Sequence, residues 1–214
     1  MAYTVHAAFE EFRQNSVDLR ATDCEKARTS RDYLIDQMKV LNRDLAAFPP
    51  LTGDFLAFGS FARRTKIIPL DDVDLLTKLN ATNTSLSNGS NDPYTYWLKI
   101  DRTDAPLAAY SGQHGYVSST KVLNALKTGV ASVSGYSKAS IHRDGEAVRL
   151  DLRSYPWSFD IVPAVGVRDG QGGIDRYLIP NGKGNWKATD PRKDQYAVTT
   201  LNSYHGGRFL PCLS

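Results

Sequence analysis

Two aspartates one residue apart, Asp72 and Asp74, begin an apolar segment that we predict to be a strand from Val73 to Leu79. Side chains alternate along a strand, so the two carboxylates share one face while Val73 points into the fold. Asp71 has the opposite parity and is predicted to be exposed at the mouth of the strand. Two carboxylates on one face repel each other unless a cation lies between them. Such a pair suits Mg²⁺, which takes one or two protein carboxylates and completes its octahedron with water and phosphate oxygens.

A third aspartate, Asp160, lies in a second apolar segment, Trp157 to Val165, that we also predict to be a strand. A buried carboxylate without a partner is costly, so Asp160 needs a partner or a metal. Three strand carboxylates facing one cleft would hold two Mg²⁺ ions. One ion would activate an attacking hydroxyl, and the other would neutralise charge on a triphosphate and its leaving pyrophosphate. The three aspartates are therefore predicted to be metal ligands and catalytic residues.

Upstream of the first pair, Gly59 and Ser60 follow a predicted buried strand, Phe55 to Phe58, and open a predicted helical turn. Small residues there let backbone N–H groups and the Ser60 hydroxyl approach phosphate oxygens at a helix N-terminus. Three cationic side chains follow within six positions and could add positive charge: Arg63, Arg64 and Lys66. Taken alone, Gly-Ser is more often a plain turn and Asp-x-Asp a surface strand end. Their combination in this order favours a nucleotide site.

The stretch from Gly59 to Leu76, GSFARRTKIIPLDDVDLL, resembles the signature of the DNA polymerase β-like nucleotidyltransferase superfamily. The finer resemblance is to the bacterial cyclic GMP–AMP synthase-like enzymes, the CD-NTases of anti-phage signalling systems. Two later blocks occur in the family order, FDIVPAV around Asp160 and WKATDP at residues 186–191. The resemblance runs from about Thr22 to Leu210, nearly the whole chain.

This resemblance implies an α/β (α+β) nucleotidyltransferase core with a mixed sheet, and an enzyme that uses nucleoside triphosphates with Mg²⁺, or Mn²⁺ in its place. Asp72 and Asp74 would be the first metal ligands and Asp160 the third, while Gly59 and Ser60 would hold the triphosphate. The family makes cyclic or linear nucleotide second messengers that switch on a cell-killing effector. That effector is the implied downstream partner.

Two cationic residues complete the predicted nucleotide site. Arg63 follows the Gly-Ser turn, and Lys121 lies on a predicted helix from Ser119 to Val133. Lys121 could reach a phosphate or simply face solvent, and the sequence leaves both readings open.

Domain organisation follows from the same resemblance. We expect residues 1–50 to form N-terminal helices packed on a catalytic core at residues 51–214. Family members continue into a C-terminal helical domain that closes over the nucleotide, whereas this chain stops at Ser214. We therefore expect that domain to be absent or truncated and turnover to be impaired, because positioning contributes a large share of phosphoryl-transfer rates.

Two other functions stay open. One is transfer of a nucleotide to tRNA, an antibiotic or a protein side chain within the same superfamily. The other is a non-catalytic remnant that binds nucleotides or a partner without turnover. The 26 basic and 23 acidic residues leave a net charge of +3, and a tRNA-binding member would be expected to be more basic. Strong nucleic-acid binding is not expected.

Composition and the N-terminal sequence point to a soluble cytoplasmic chain. The 214 residues contain no apolar stretch long enough to span a bilayer, and Met1 to His6 lacks the pattern of a secretory signal. Two cysteines, Cys24 and Cys212, form neither a disulfide framework nor a zinc site by themselves. A reducing cytoplasm without membrane attachment is therefore the expected location.

The supporting elements can also be predicted. Phe9, Phe12 and Leu19 suggest an apolar face on a first helix. A second helix, with a capping box at Thr22 and Glu25, has apolar residues at helical spacing and ends before Pro49: Leu34, Met38, Leu41 and Leu45. We expect this helix to pack behind a mixed sheet that carries the three aspartates on adjacent strands.

Three further segments complete the prediction. A long loop is expected from Asn80 to about Gly115, where Asn, Ser, Thr and Tyr replace the apolar pattern. A hairpin is expected around a turn at Asp144-Gly145. A last helix is expected to start at Asp190-Pro191 and to end near Gly206-Gly207.

Overall fold

The structure, a computed structural model, describes residues 4–88 and 92–204. It is a mixed α+β fold with one nine-stranded sheet, which confirms the predicted fold class. The α-helices of the described residues are α1 (Val5–Phe12), α2 (Ala21–Asp44), α3 (Gly59–Ala62), α4 (Ser119–Ala131) and α5 (Pro191–Tyr204). The strands are β1 (Leu51–Phe58), β2 (Asp72–Leu79), β3 (Thr84–Asn88), β4 (Tyr96–Ile100), β5 (Ser140–Asp144), β6 (Ala147–Asp151), β7 (Ser158–Arg168), β8 (Ile174–Pro180) and β9 (Trp186–Thr189).

Strand β7 is the centre of the sheet. The main strand order is β1-β2-β7-β8-β9-β4-β3, and β6 also pairs with β7 and carries β5. Only β2 and β7 pair in parallel among the described strands; the remaining pairs are antiparallel. The sequence of β7 is a nearly continuous apolar run, which is typical of a strand covered on both faces. Asp160 is the exception within that run.

Helix α2 covers the face of the sheet away from the aspartates. Ala27, Leu34 and Met38 are fully buried, and they belong to one core cluster with Val73 and Phe159. The predicted apolar face of this helix is therefore confirmed. The predicted capping box is wrong: the helix begins at Ala21 after Arg20, which makes no side-chain cap, so Thr22 lies inside it.

The first helix differs from its prediction. Phe9 and Phe12 are 68% and 60% exposed, so the expected buried face is absent from α1. A π-helical segment, Arg13–Val17, and the extended backbone of Asp18 follow α1. The α-helical spacing therefore does not continue to Leu19, which is buried in the core.

The region predicted as a long loop contains strands β3 and β4. Strand β3 is made of Thr, Ser and Asn apart from Leu86, so it lacks the apolar pattern of a strand. Its pairing is nevertheless complete, and Leu86 lies opposite the buried Leu98 of β4. Two 3₁₀ turns follow, Ala108–Tyr110 and Gln113–Gly115.

Smaller differences concern the ends of elements. Strand β1 begins at Leu51 rather than Phe55, and its last residues are half-buried rather than buried. Asp144 pairs with Ala147, so the hairpin turn is centred one residue later than predicted. The Asp190 side chain accepts a hydrogen bond from the backbone N–H of Arg192, as expected of the start of α5. The predicted end of that helix at residues 206–207 lies outside the described residues. Strand β9 was not predicted.

No helix within residues 4–88 and 92–204 combines the length and the hydropathy that a membrane span requires.

The packing of α4 gives a test of the core. A Cβ added at Gly129 would lie 2.2 Å from the Phe48 ring, which is buried. We expect Gly129→Ala to lower stability by about 1–3 kcal/mol through overpacking, although alanine normally favours helices. Gly170→Ala is the control, because a Cβ there meets nothing within 4 Å. Thermal unfolding of both variants measures the effect; a Gly129→Ala variant as stable as the parent chain would contradict this packing.

Candidate metal centre

The parallel pairing of β2 and β7 brings the three aspartates together. Asp74 lies opposite Asp160 in the ladder, and Asp72 lies opposite Ser158. Asp72 and Asp74 share a face because they are two residues apart, while Val73 between them is buried. One carboxylate oxygen from each of the three aspartates lies within 4.8 Å of the others. The group could therefore hold a metal ion.

The burial of Asp160 fits a bound cation. The side chains of Asp72 and Asp160 are 31% and 22% exposed, and Asp74 is half-buried. Asp160 Oδ1 is buried without a hydrogen-bond partner among the described residues. A buried polar atom normally has such a partner, so this oxygen calls for a ligand. Carboxylate oxygens are the donors that hard cations such as Mg²⁺, Mn²⁺ and Ca²⁺ prefer.

The proximity of the carboxylates raises their pKa values. Burial, followed by the charges of Asp72 and Asp160, raises the pKa of Asp74 from 3.8 to about 6. Burial is also the main cause of the raised pKa of Asp160, and the charge of Asp72 adds to it. The pKa of Asp72 is raised by burial and by its hydrogen bond with Asp71. A divalent cation would remove this strain by favouring the charged forms.

Gly59 approaches the cluster more closely than any other residue type could. Its φ is +73°, and an added Cβ would lie 1.7 Å from Asp74 Oδ2. Both the backbone conformation and the space therefore require glycine. Gly59 and Ser60 start the short helix α3, as predicted, and Phe58 pairs with Asp74 across the sheet.

Three cationic residues act on the cluster. Lys66 Nζ donates hydrogen bonds to Oδ1 of both Asp71 and Asp72. Arg63 lowers the pKa of Asp74 through its charge. Arg149 Nη1 lies 3.5 Å from Asp160 Oδ2. The fold thus surrounds the acidic group with positive charge from separate elements.

Lys121 takes a different position from the other predicted site residues. It lies in the first turn of α4, and its Nζ donates to the Ser111 carbonyl at 2.6 Å. It is not among the main charges that shift the pKa of Asp72, Asp74 or Asp160. The structure therefore brings Asp72, Asp74, Asp160, Gly59 and Arg63 together but leaves Lys121 outside this group.

Two contacts of the cluster depend on the folded path of the chain and are not evident from local sequence patterns. Arg149 lies opposite Asp160 across β6 and β7, and opposite His142 across the hairpin. The sequence indicates Lys66 as a source of positive charge but does not indicate its ion pair with Asp72. The five-residue spacing of Lys66 and Asp71 was the one local signal available.

The chain is similar to a protein named "probable cyclic nucleotide synthase" from Bacillus cereus (strain VD146). The two are 36% identical over 212 residues, 98% of this chain. This chain spans 63% of that protein's length. No family model matches the chain.

The contact between Gly59 and Asp74 can be tested with a matched pair of variants. We expect Gly59→Ala to weaken divalent-cation binding by about tenfold or more, because the methyl group displaces an Asp74 oxygen. Gly53→Ala is the control, since Gly53 has a φ of +89° but meets nothing within 4 Å. Gly53→Ala should lower the free energy of unfolding by only roughly 1–2 kcal/mol, the cost of a left-handed backbone conformation at a residue with a Cβ. Calorimetric Mn²⁺ titration separates the two; equal affinities in both variants would contradict the contact.

The raised pKa of Asp74 predicts a gain in stability when its charge is removed. Its folded pKa of about 6 exceeds the usual 3.8, so the folded chain binds more protons than the unfolded chain between these values. The free energy of unfolding therefore falls as pH rises from about 4 to about 6, and stays reduced above that range. With metal chelated, we expect Asp74→Asn to melt about 2–4 °C higher than the parent chain at pH 7.5.

The gap should shrink as the pH falls through about 6 and should close below about 3.8, where Asp74 is protonated in both folded and unfolded chains. Asp54→Asn is the control with the opposite sign, because Lys78 lowers the pKa of Asp54. Melting curves across this pH range decide the matter. A gap for Asp74→Asn that is negative or independent of pH would show that its carboxylate is not electrostatically strained.

Proposed function

We propose that this chain is the nucleotidyltransferase core of a CD-NTase that uses Mg²⁺ to build cyclic or linear oligonucleotide second messengers from nucleoside triphosphates. One observation carries the proposal: three carboxylates from two parallel strands meet within 4.8 Å beside a glycine-started helical turn. The similarity to a protein named as a probable cyclic nucleotide synthase supports the same chemistry.

The proposed metal ligands are Asp72, Asp74 and Asp160, which would hold two Mg²⁺ ions, with Mn²⁺ as a substitute. Their oxygens suit a hard cation. The buried Oδ1 of Asp160 accepts no hydrogen bond from the described residues, so it is available as a metal ligand. When bound, these ions would neutralise charge on the triphosphate and favour ionisation of the attacking hydroxyl.

The proposed triphosphate contacts come from the turn beside the cluster. The first backbone N–H groups of a helix lack partners within it, so Gly59 and Ser60 offer donors at the start of α3. Arg63, whose charge acts on Asp74, would add a cation for the phosphates. Lys121 would contribute only after giving up its hydrogen bond to Ser111.

The proposed reaction joins two nucleotides. The hydroxyl oxygen of one nucleotide forms a bond to the α-phosphorus of the other, and the bond from that phosphorus to the β-phosphate oxygen breaks. Pyrophosphate leaves, and the hydroxyl proton passes to solvent. The residues of the chain hold the two reactants in line, which accounts for much of the rate of phosphoryl transfer.

The biological setting is proposed from the same family. We place the enzyme in the bacterial cytoplasm, with a downstream effector that responds to its product in anti-phage defence. Residues 1–50 would support the core at residues 51–214.

Incubation with labelled nucleoside triphosphates and Mg²⁺, followed by mass spectrometry, tests the proposal. We expect an oligonucleotide product and released pyrophosphate. Label that moves to tRNA or to a small acceptor would indicate the superfamily alternative, and nucleotide binding without product would indicate a non-catalytic remnant. Either result would contradict second-messenger synthesis by this chain.

The aspartate requirement has its own control. We expect Asp72→Ala and Asp160→Asn each to lower product formation by about 100-fold or more, because each removes a charge that would hold the metal. Asp32→Asn should leave product formation unchanged, since Asp32 is an exposed partner of Arg31 on α2. Initial rates of pyrophosphate release provide the measurement. Comparable rates in Asp72→Ala and in the parent chain would exclude the proposed site.

A further inference from the structure

Lys66 occupies an unusual place for a lysine at the edge of an acidic site. Its Nζ lies between Asp71 and Asp72 and donates to Oδ1 of each. Its side chain is 16% exposed, less than that of Asp72 at 31% or Asp71 at 59%. A lysine is protonated at neutral pH, and both hydrogen bonds are made by its charged ammonium group. The ammonium is thus held charged against the cluster.

The backbone around Lys66 fixes this position. The N–H groups of Thr65 and Lys66 both donate to the Ser60 carbonyl, at 2.9 and 3.2 Å. The Thr65 hydroxyl donates to the same oxygen at 3.3 Å. These hydrogen bonds fix the backbone of Lys66 at the end of the turn that begins with Gly59. From there the lysine side chain extends to Asp72.

The two partners of Lys66 are not equivalent. Asp72 belongs to the cluster of three carboxylates, whereas Asp71 lies on the opposite parity of the strand and outside that cluster. Asp71 is 59% exposed, so its carboxylate is solvated and is ionised at neutral pH like an ordinary aspartate. A cation that takes the Asp72 oxygen leaves Lys66 with a charged partner close by.

We infer that Lys66 is a built-in counter-cation that holds Asp72 in the metal-free chain and moves onto Asp71 alone when a divalent cation binds. The inference rests on the metal site of the proposed function, in which the Lys66 ammonium would compete with the metal ion for Asp72. An ammonium that competes for Asp72 and repels the incoming cation lowers its affinity. Lys66 would thus set the metal affinity of the site rather than build it.

Mn²⁺ titration calorimetry of the full chain without nucleotide tests this role. We expect Lys66→Met to bind Mn²⁺ about tenfold or more tightly than the parent chain, because charges this close interact strongly even in a partly solvated site. Lys66→Arg keeps the cation and should stay near the parent affinity. Lys78→Met is the control: Lys78 pairs with Asp54, outside the cluster, and its removal should change nothing.

The role of Asp71 is tested by a double-mutant cycle. Asp71→Asn leaves Asp72 as the one ion-pair partner of Lys66 among the described residues and should weaken Mn²⁺ binding. In the Lys66→Met background the same change should have a much smaller effect, since the competitor is gone. Equal effects in both backgrounds would overturn the transfer of Lys66 to Asp71.

The outcomes separate the two proposals. Mn²⁺ binding that Lys66→Met leaves unchanged or weakens overturns the counter-cation role and leaves the metal site intact. Absence of Mn²⁺ binding in both the parent chain and Lys66→Met overturns the metal site on which both proposals rest. If Lys66→Met does not fold, lysine side-chain NMR of the parent chain replaces it. The Lys66 signal, assigned with Lys66→Arg, must then shift on Mg²⁺ titration, and a fixed signal overturns the inference.

Discussion

Repulsion between carboxylates that the sheet holds together is the constraint on which the rest of the site depends. The parallel register of β2 and β7 sets Asp74 beside Asp160, and strand parity adds Asp72 to the same face. Charges from Lys66, Arg63 and Arg149 offset the repulsion in part. The pKa of Asp74 nevertheless stays raised, to about 6. Proteins are only marginally stable, so electrostatic strain of this kind is usually found where a bound ligand relieves it. A divalent cation would relieve the repulsion among these three carboxylates.

The acidic centre could be predicted from the sequence because its information is local. Alternation along a strand is enough to place Asp72 and Asp74 on one face, and the lone Asp160 stands out in an apolar run. Helix α2 could also be predicted from the sequence, since its buried residues recur at helical spacing. The small size of Gly59 is evident from the sequence, which indicates only a close approach to phosphate. The structure adds a second reason, the contact with Asp74 across β1 and β2.

The remaining features depend on pairings that no local pattern encodes. Strand β3 is polar and is stabilised by its pairing with β4, so its sequence looks like a loop. Arg149 meets Asp160 through the register of an antiparallel pair, and Lys66 reaches Asp72 through the path of a turn. The apolar spacing of Phe9, Phe12 and Leu19 predicts one buried face, yet the two phenylalanines are exposed and a π-helical segment separates them from the buried Leu19. Local periodicity cannot report such an interruption.

The central claim is that Asp72, Asp74 and Asp160 share divalent cations, and anomalous scattering from crystals of the chain grown with Mn²⁺ and a non-hydrolysable nucleoside triphosphate tests it most directly. The account predicts anomalous peaks at metal–oxygen bonding distance from all three carboxylates, with a triphosphate oxygen completing the coordination. An absence of peaks, or a peak bound to one aspartate while another points to solvent, would contradict it.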